Sequence, residues 1–241
     1  MSKRIVIVDH PLGGRDDRAT SMLVAHGYEV DWRRPADGDS LPAPDAGYAA
    51  AIVHGGIENL SESHDVAYLN EEIGWIRRWV EAQLPFAGFC LGGQMLAQGF
   101  GAKVGPHPDR IHEIGFVQVE PCTDTASFLK ESAHMYEWHK EGFELPAGAE
   151  LLARGQVFPR QAFRVGDRAY GLQFHPEVSP QNFQGWLDAS EPMTCFPGAH
   201  SRERQTADAE RFDASVEKWL ARFLAQLLND NTLIPEVASQ A

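Results

Sequence analysis

Cys90 lies where a short apolar segment ends in a glycine-rich turn, with Gly88 and Gly92 two residues to either side. Small residues at these positions suit a sharp strand-to-helix turn, the arrangement of a nucleophile elbow with Cys in place of Ser. A thiol at a helix N-terminus faces the positive end of the helix dipole, which favours the thiolate. The amide of Leu91 would point towards an oxyanion formed on a substrate. Alternatively, Cys90 is a small buried residue beside a tight turn, and this segment alone leaves both interpretations open.

A thiolate nucleophile needs an imidazole, and the imidazole needs an acceptor that orients it. Among ten histidines, His175 directly follows the apolar segment 170–174. We therefore place it at a strand end, where the sites of open parallel sheets gather. Pro176 restricts His175 to an extended backbone, so Glu177 lies on the same side of the chain. The pattern predicts a catalytic triad of Cys90, His175 and Glu177, although His-Pro-Glu could also be simple turn chemistry.

A second glycine-rich turn, His54-Gly55-Gly56, follows another apolar segment. Paired glycines let the backbone approach a ligand closely and leave amides free to bind it. Gly56 is therefore a candidate for the second oxyanion donor beside Leu91. Taken alone, the motif is more typical of an ordinary turn, and we interpret His54 as structural.

The elements that must position these residues follow from the alternation of short apolar runs with longer amphipathic ones. This alternation predicts a parallel sheet with helices on both faces, in a single domain over residues 1–241. The second half of the chain has a more antiparallel character. Strands are predicted at 4–9, 29–32, 49–54, 85–89, 114–120, 150–154, 161–165 and 169–174. Helices are predicted at 15–26, about 66–80, 94–100 and about 212–227, and a loop at 189–205.

Composition excludes several classes of function. The 241 residues carry a net charge of −13, and such a surface repels phosphate backbones and anionic lipids, so we expect no nucleic-acid or membrane partner. The three cysteines are too widely spaced for a zinc or redox motif, and we expect no metal. No phosphate-binding loop is present, and we expect no cofactor. Sparse cysteines and the lack of a signal-peptide pattern predict a soluble, cytoplasmic protein.

Together, the segments around Cys90 and His175 resemble the class I (triad) glutamine amidotransferases. They are most similar to the stand-alone proteins that are like the amidotransferase domain of GMP synthase. The resemblance runs from about residue 5 to 177 and implies a flavodoxin-like α/β fold, with a central, mostly parallel sheet flanked by helices. It does not cover 179–241, which we treat as a C-terminal loop and helix extension. The matching segments are 88–94, 173–177, 54–56, 113–115, 138–139, 145–149 and 161–163.

The resemblance also implies a role for each site residue. Cys90 would attack the side-chain carbonyl of glutamine, while the amides of Gly56 and Leu91 hold the oxyanion. His175, oriented by Glu177, would protonate the departing ammonia and then activate water to hydrolyse the thioester. The substrate itself would be held by Gln94, Gly55, Trp138 and His139.

Three functions follow as alternatives. The first is glutamine hydrolysis, with the ammonia released or passed to a separate synthetase subunit, because this sequence carries no synthetase domain. The second is a γ-glutamyl hydrolase or peptidase, which uses the same chemistry but needs an open pocket beyond the scissile amide. The third, an inactive binding or regulatory homologue, is disfavoured because Cys90, His175 and the oxyanion glycine are all retained.

Overall fold

A computed structural model describes residues 3–11, 14–122 and 128–235, which contain eleven strands and five α-helices. The strands are β1 Arg4–Val8, β2 Glu29–Arg33, β3 Ala50–Val53, β4 Phe86–Phe89, β5 Val104–Pro106, β6 Glu113–Pro121, β7 Ala133–His139, β8 Glu141–Phe143, β9 Glu150–Arg154, β10 Ala162–Val165 and β11 Ala169–Leu172. The helices are α1 Arg18–Ala25, α2 Ala67–Glu81, α3 Leu91–Gly99, α4 Pro180–Ser190 and α5 Arg202–Leu228.

Nine of these strands form one sheet in the order β2-β1-β3-β4-β11-β10-β9-β6-β7. The first five are mutually parallel, and the pairings from β11 to β7 are antiparallel. The predicted α/β class, with a parallel sheet and a more antiparallel second half, is confirmed. In the parallel half, the carboxyl ends of β1, β3, β4 and β11 meet at the same edge of the sheet. Residues that follow these strands therefore lie close together.

Helices cover both faces of the parallel half, which explains the continuous apolar strands. Ile5 and Ile7 of β1 pack into the same apolar cluster as residues of α1 and α5, including Leu23 and Trp219. The alternate residues Val6 and Val8 pack into the opposite cluster, with residues of α2 and α3. A strand buried on both faces needs apolar residues at every position, as the sequence indicated.

Several elements near the site differ from the sequence predictions, among them strand β7, which was not predicted. The structure adds helix α4, whose N-terminus has a capping box between Ser179 and Asn182 with Pro180 in the first turn. The predicted loop at 189–205 is wrong at both ends. Its first two residues still belong to α4, and α5 begins at Arg202 because the Ser201 side chain caps the helix by accepting from the Arg204 amide.

None of the helices in the described parts of the chain combines the length and the apolar character that a bilayer crossing requires.

Candidate active site

Cys90 forms the sharp turn between β4 and α3. It has φ 47° and ψ −106°, a conformation that is uncommon for a residue with a side chain. The turn closes because Gly88 and Gly92 lack side chains. A Cβ at Gly88 would lie closer than 3.0 Å to the backbone of Gly92, and one at Gly92 equally close to the backbone of Val53. The two glycines are therefore required by backbone packing, as the elbow interpretation expected.

The backbone of Cys90 is tied to both neighbouring elements. Its amide donates to the carbonyl of Leu172 at the end of β11 (2.8 Å), and its carbonyl accepts from the Gln94 amide in α3 (2.9 Å). The residue is 5% exposed. The sulfur lies 3.8 Å from the carbonyl oxygen of Trp138 and 3.8 Å from Nε2 of Gln173. The thiol is thus held in a polar recess at the edge of the sheet.

His175 and Glu177 lie on the segment that follows β11. The amide of His175 donates to the carbonyl of Tyr136 (2.8 Å), which ties this segment to β7. Its ring Nδ1 lies 2.7 Å from Oε1 of Glu177, the contact that the predicted orienting role of Glu177 requires. The carbonyl of Glu177 in turn accepts from the Arg18 amide at the start of α1 (2.8 Å).

Charge interactions link the imidazole to both partners. Burial lowers the pKa of His175. The charges of the Glu177 carboxylate and the Cys90 sulfur raise it by more, so the pKa lies well above the usual value. Burial raises the pKa of Glu177, yet its interaction with His175 lowers it below the usual value. These directions favour an imidazolium held by an ionised carboxylate beside the cysteine.

The Gly55-Gly56 turn packs directly against this triad. A Cβ at Gly55 would lie 2.5 Å from Cε1 of His175 and 3.4 Å from Cβ of Cys90. A Cβ at Gly56 would lie 2.6 Å from a methyl carbon of Leu91. The structure therefore brings the predicted nucleophile, base and both predicted oxyanion donors to one place. Leu91 is the first residue of α3, and an amide at that position has no acceptor within its own helix.

These residues line a cavity of about 810 Å³ at the carboxyl edge of the parallel strands. Its walls include the ends of β3 and β4, the β7–β8 turn and the C-terminal half of α4. Trp186 of α4 stands edge-on to the His175 ring, with 4.9 Å between centroids, and also packs on Trp138. Met193 and Phe196 line the same cavity and are partly exposed.

All four predicted substrate-binding residues line this cavity, but two of them already have partners. Gln94 donates from Nε2 to the carbonyl of Glu141 (2.8 Å). His139 is 6% exposed, and its Nδ1 lies 2.9 Å from the same carbonyl. Gly55 and Trp138 are more accessible than these two. Substrate binding by all four stays a prediction.

A buried carboxylate cluster adjoins the cavity behind His139. Nε2 of His139 lies 3.2 Å from Oε2 of Glu113 and 3.2 Å from Oε2 of Glu137. Burial lowers the pKa of His139, but both carboxylates raise it, to about 10. Burial raises the pKa of Glu137 to about 7. The three ligand atoms lie within 4.8 Å of one another, close enough for a metal ion. An imidazolium between two carboxylates also accounts for the contacts without one.

Sequence reasoning missed three residues at the site. Gln173 was part of the matching segment, but its contact with the Cys90 sulfur was not predicted. Glu137 was missed because β7 was not predicted. Trp186 was missed because α4 was not predicted, although the Ser179-Pro180 helix-start signal precedes it.

Known proteins match this chain over most of its length. The profile of the family described as "Glutamine amidotransferase class-I" matches residues 18–188. The glutamine amidotransferase-like protein YfeJ of Salmonella typhimurium is 28% identical over 81% of this chain and 80% of its own length. One of the subunits of the glutamine-hydrolysing GMP synthase of Thermococcus kodakarensis is 33% identical over 43% of this chain and 56% of its own length.

Solved structures agree with these sequence matches. The crystal structure of a glutamine amidotransferase from Thermotoga maritima is 25% identical, with a TM-score of 0.83 over 93% of this chain and 97% of that one. The chain described here belongs to the class I glutamine amidotransferase family. Membership of this family indicates an enzyme that hydrolyses the amide of glutamine.

Proposed function

We propose that this protein hydrolyses the γ-amide of glutamine to glutamate and ammonia through a thioester on Cys90. The observation that carries the proposal is the meeting of the elbow, the His175–Glu177 pair and the Gly55-Gly56 turn at one strand edge. That arrangement supplies a nucleophile, a proton carrier and two backbone amides for an oxyanion.

The reaction would proceed in two halves. The Cys90 thiolate attacks the amide carbon, and the amides of Gly56 and Leu91 stabilise the oxyanion. The His175 imidazolium then gives its proton to the leaving nitrogen, so that ammonia departs and a thioester remains. In the second half, neutral His175 takes a proton from water, the hydroxide attacks the thioester, and glutamate is released. Throughout, Glu177 keeps the imidazole in place.

The ammonia could serve a separate acceptor enzyme. The GMP synthase relatives include chains that are named as single subunits of that enzyme, which supports a partner of the synthetase type for this chain. Release of free ammonia is the other route open to a stand-alone enzyme.

A second candidate function, hydrolysis of larger γ-glutamyl amides, is favoured by the cavity. Its volume of about 810 Å³ is more than one glutamine fills, and one side is apolar. Met193 and Phe196, 37% and 42% exposed, lie on that side, where the leaving group of a γ-glutamyl peptide or conjugate could pack.

The first experiment measures glutamate and ammonia release from glutamine by the purified protein, with γ-glutamyl peptides such as glutathione in parallel. Faster turnover of glutamine supports an amidotransferase. Preference for the peptides supports the second candidate, and turnover of none of these compounds contradicts both.

A variant separates the two candidates further. If the apolar side binds a leaving group, Phe196→Ala lowers kcat/KM for an apolar γ-glutamyl peptide by roughly tenfold and leaves glutamine turnover unchanged. Ile234→Ala is the control, because Ile234 is similarly exposed (39%) and does not line the cavity. Equal effects of Phe196→Ala on both substrates would count against the second candidate.

A further inference from the structure

His10 and Glu72 form a buried pair beneath the Gly55-Gly56 turn. His10 lies just beyond β1, and Glu72 lies on the buried face of α2. Their side chains are 1% and 0% exposed, and Nε2 of His10 lies 3.3 Å from Oε1 of Glu72. A carboxylate with no access to water is costly to keep unless a charge compensates it. The resemblance to the class I glutamine amidotransferases implies no role for either residue.

The contacts of the His10 ring favour its doubly protonated form. Nδ1 lies 3.1 Å from the carbonyl oxygen of Gly55, which can only accept, so Nδ1 carries a proton. Nε2 faces a carboxylate, which favours a proton there as well. Burial lowers the pKa of His10, but Glu72 and then Glu58 raise it, and the result is above the usual value. The two contacts and the raised pKa favour an imidazolium between Glu72 and Gly55.

This hydrogen bond acts on the amide that we assign to the oxyanion hole. The carbonyl of Gly55 and the N–H of Gly56 belong to one planar peptide unit and point in opposite directions. A donor that holds the carbonyl therefore also fixes the direction of the amide. The turn is held tightly on both sides, because a Cβ at Gly56 would lie 2.9 Å from Cβ of His10 and 2.6 Å from the Leu91 side chain.

We propose that His10, held by Glu72, is a positioning residue that keeps the Gly55–Gly56 peptide oriented with the Gly56 amide towards the substrate oxyanion. The positive charge behind the carbonyl also polarises that peptide and makes its N–H a stronger donor. The pair acts through the backbone and does not touch the substrate. This inference rests on the proposed function.

Kinetics of three variants test the inference. His10→Leu removes the donor, and Glu72→Gln removes the charge that holds the imidazolium. We expect kcat for glutamine to fall by about 10- to 100-fold in His10→Leu, less in Glu72→Gln, with KM changed by less than about threefold. His10→Asn, whose side-chain NH₂ can replace Nδ1 as the donor, should recover part of the loss. His134→Leu, at a half-buried ring stacked on Phe212 (4.0 Å), is the control and should match the wild type.

Alkylation by iodoacetamide separates positioning from general damage. This reaction displaces iodide at carbon and forms no oxyanion. Its rate at Cys90, followed by mass spectrometry because Cys122 and Cys195 are also free, therefore reports on the thiolate and not on the oxyanion hole. We expect the alkylation rate in His10→Leu to stay within about threefold of the wild-type rate while kcat falls. The inference is overturned if kcat is unchanged, or if kcat and the alkylation rate fall together in both His10→Leu and Glu72→Gln. Neither result contradicts the proposed function. A wild-type protein without turnover would contradict the proposed function, and the inference with it.

Discussion

Burial lowers the pKa of His175, whereas Glu177 and Cys90 raise it, and their combined effect is the larger. The 2.7 Å contact between Nδ1 and Oε1 is made inside the protein, where water screens it little. The pKa of His175 is raised well above its usual value, which favours the protonated ring that the proposed mechanism needs as the donor to the leaving nitrogen. The Glu177 side chain thus contacts the ring and favours its protonated form.

We therefore expect Glu177→Gln to shift the pH dependence of activity. Without the carboxylate, the pKa of His175 falls. His175 then loses, at a lower pH, the proton that it donates to the leaving nitrogen. The alkaline limb of the profile of kcat/KM against pH should move to lower pH, and kcat should fall at least tenfold. Steady-state kinetics between pH 6 and 10 measure both effects. An alkaline limb that stays in place would mean that Glu177 does not control the charge of His175.

That Cys90, His175 and Glu177 come together could be predicted because each has a signal close to it in the chain. Glycines flank the cysteine, an apolar strand precedes the histidine, and Pro176 fixes the offset to the glutamate. The His10–Glu72 pair has no such signal. Its two members are 62 residues apart, and only the packing of α2 against the end of β1 brings them together.

At the scale of elements, the site depends on the close packing of β3, β4 and α3. Gly92 in the first turn of α3 touches the backbone of Val53 at the end of β3. That approach places the N-terminus of α3, with its free amides, at the nucleophile. A side chain at this position would push the helix away from the sheet.

We expect Gly92→Ala to be destabilising and inactivating. The added methyl group cannot fit against the Val53 backbone, and overpacking of this kind costs about 1–3 kcal/mol. The displaced helix should also lower turnover at least 100-fold, since small misplacement of reacting groups has large effects. Urea denaturation and glutamine turnover are the measurements. Gly105→Ala is the matched control, because nothing lies within 4 Å of a Cβ there. A fully active Gly92→Ala would contradict this account of the elbow.

The elements of the parallel half were predictable because strands buried on both faces are continuously apolar. Strand β7 was not, because buried Glu137 and His139 interrupt its pattern with polar residues. Their burial depends on β6, which supplies Glu113, and on Gln161, which donates to Glu113 (2.9 Å). Only the three-dimensional arrangement supplies these partners, so a local pattern cannot reveal the strand.

At the scale of the whole molecule, the buried cluster behind the cavity makes stability depend on pH. The pKa of Glu137 is about 7 in the folded protein, against an ordinary value of 4.5. A raised pKa contributes stability that is fully present below about pH 4.5 and is lost as pH rises through 7. The raised pKa of His139 contributes in the same sense, lost as pH rises through about 10.

Glu137→Gln should therefore remove one part of this pH dependence. Between about pH 5 and 7, the wild-type protein should lose stability relative to the variant by up to about 1.4 kcal/mol per pH unit. Urea denaturation of both proteins at pH 5, 6 and 7 measures the difference. Glu131→Gln, at an exposed position, should follow the wild-type curve. Parallel curves for wild type and Glu137→Gln would show that Glu137 does not titrate in this window.

The central claim is that Cys90 is the nucleophile, and glutamate release from glutamine by single cysteine variants tests it most directly. The chain has three cysteines, and Cys122 and Cys195 lie outside the cavity lining. We predict that Cys90→Ala abolishes turnover while the protein stays folded, and that Cys122→Ala and Cys195→Ala keep near wild-type rates. Turnover that persists in Cys90→Ala, or that is lost equally in Cys122→Ala, would contradict the account.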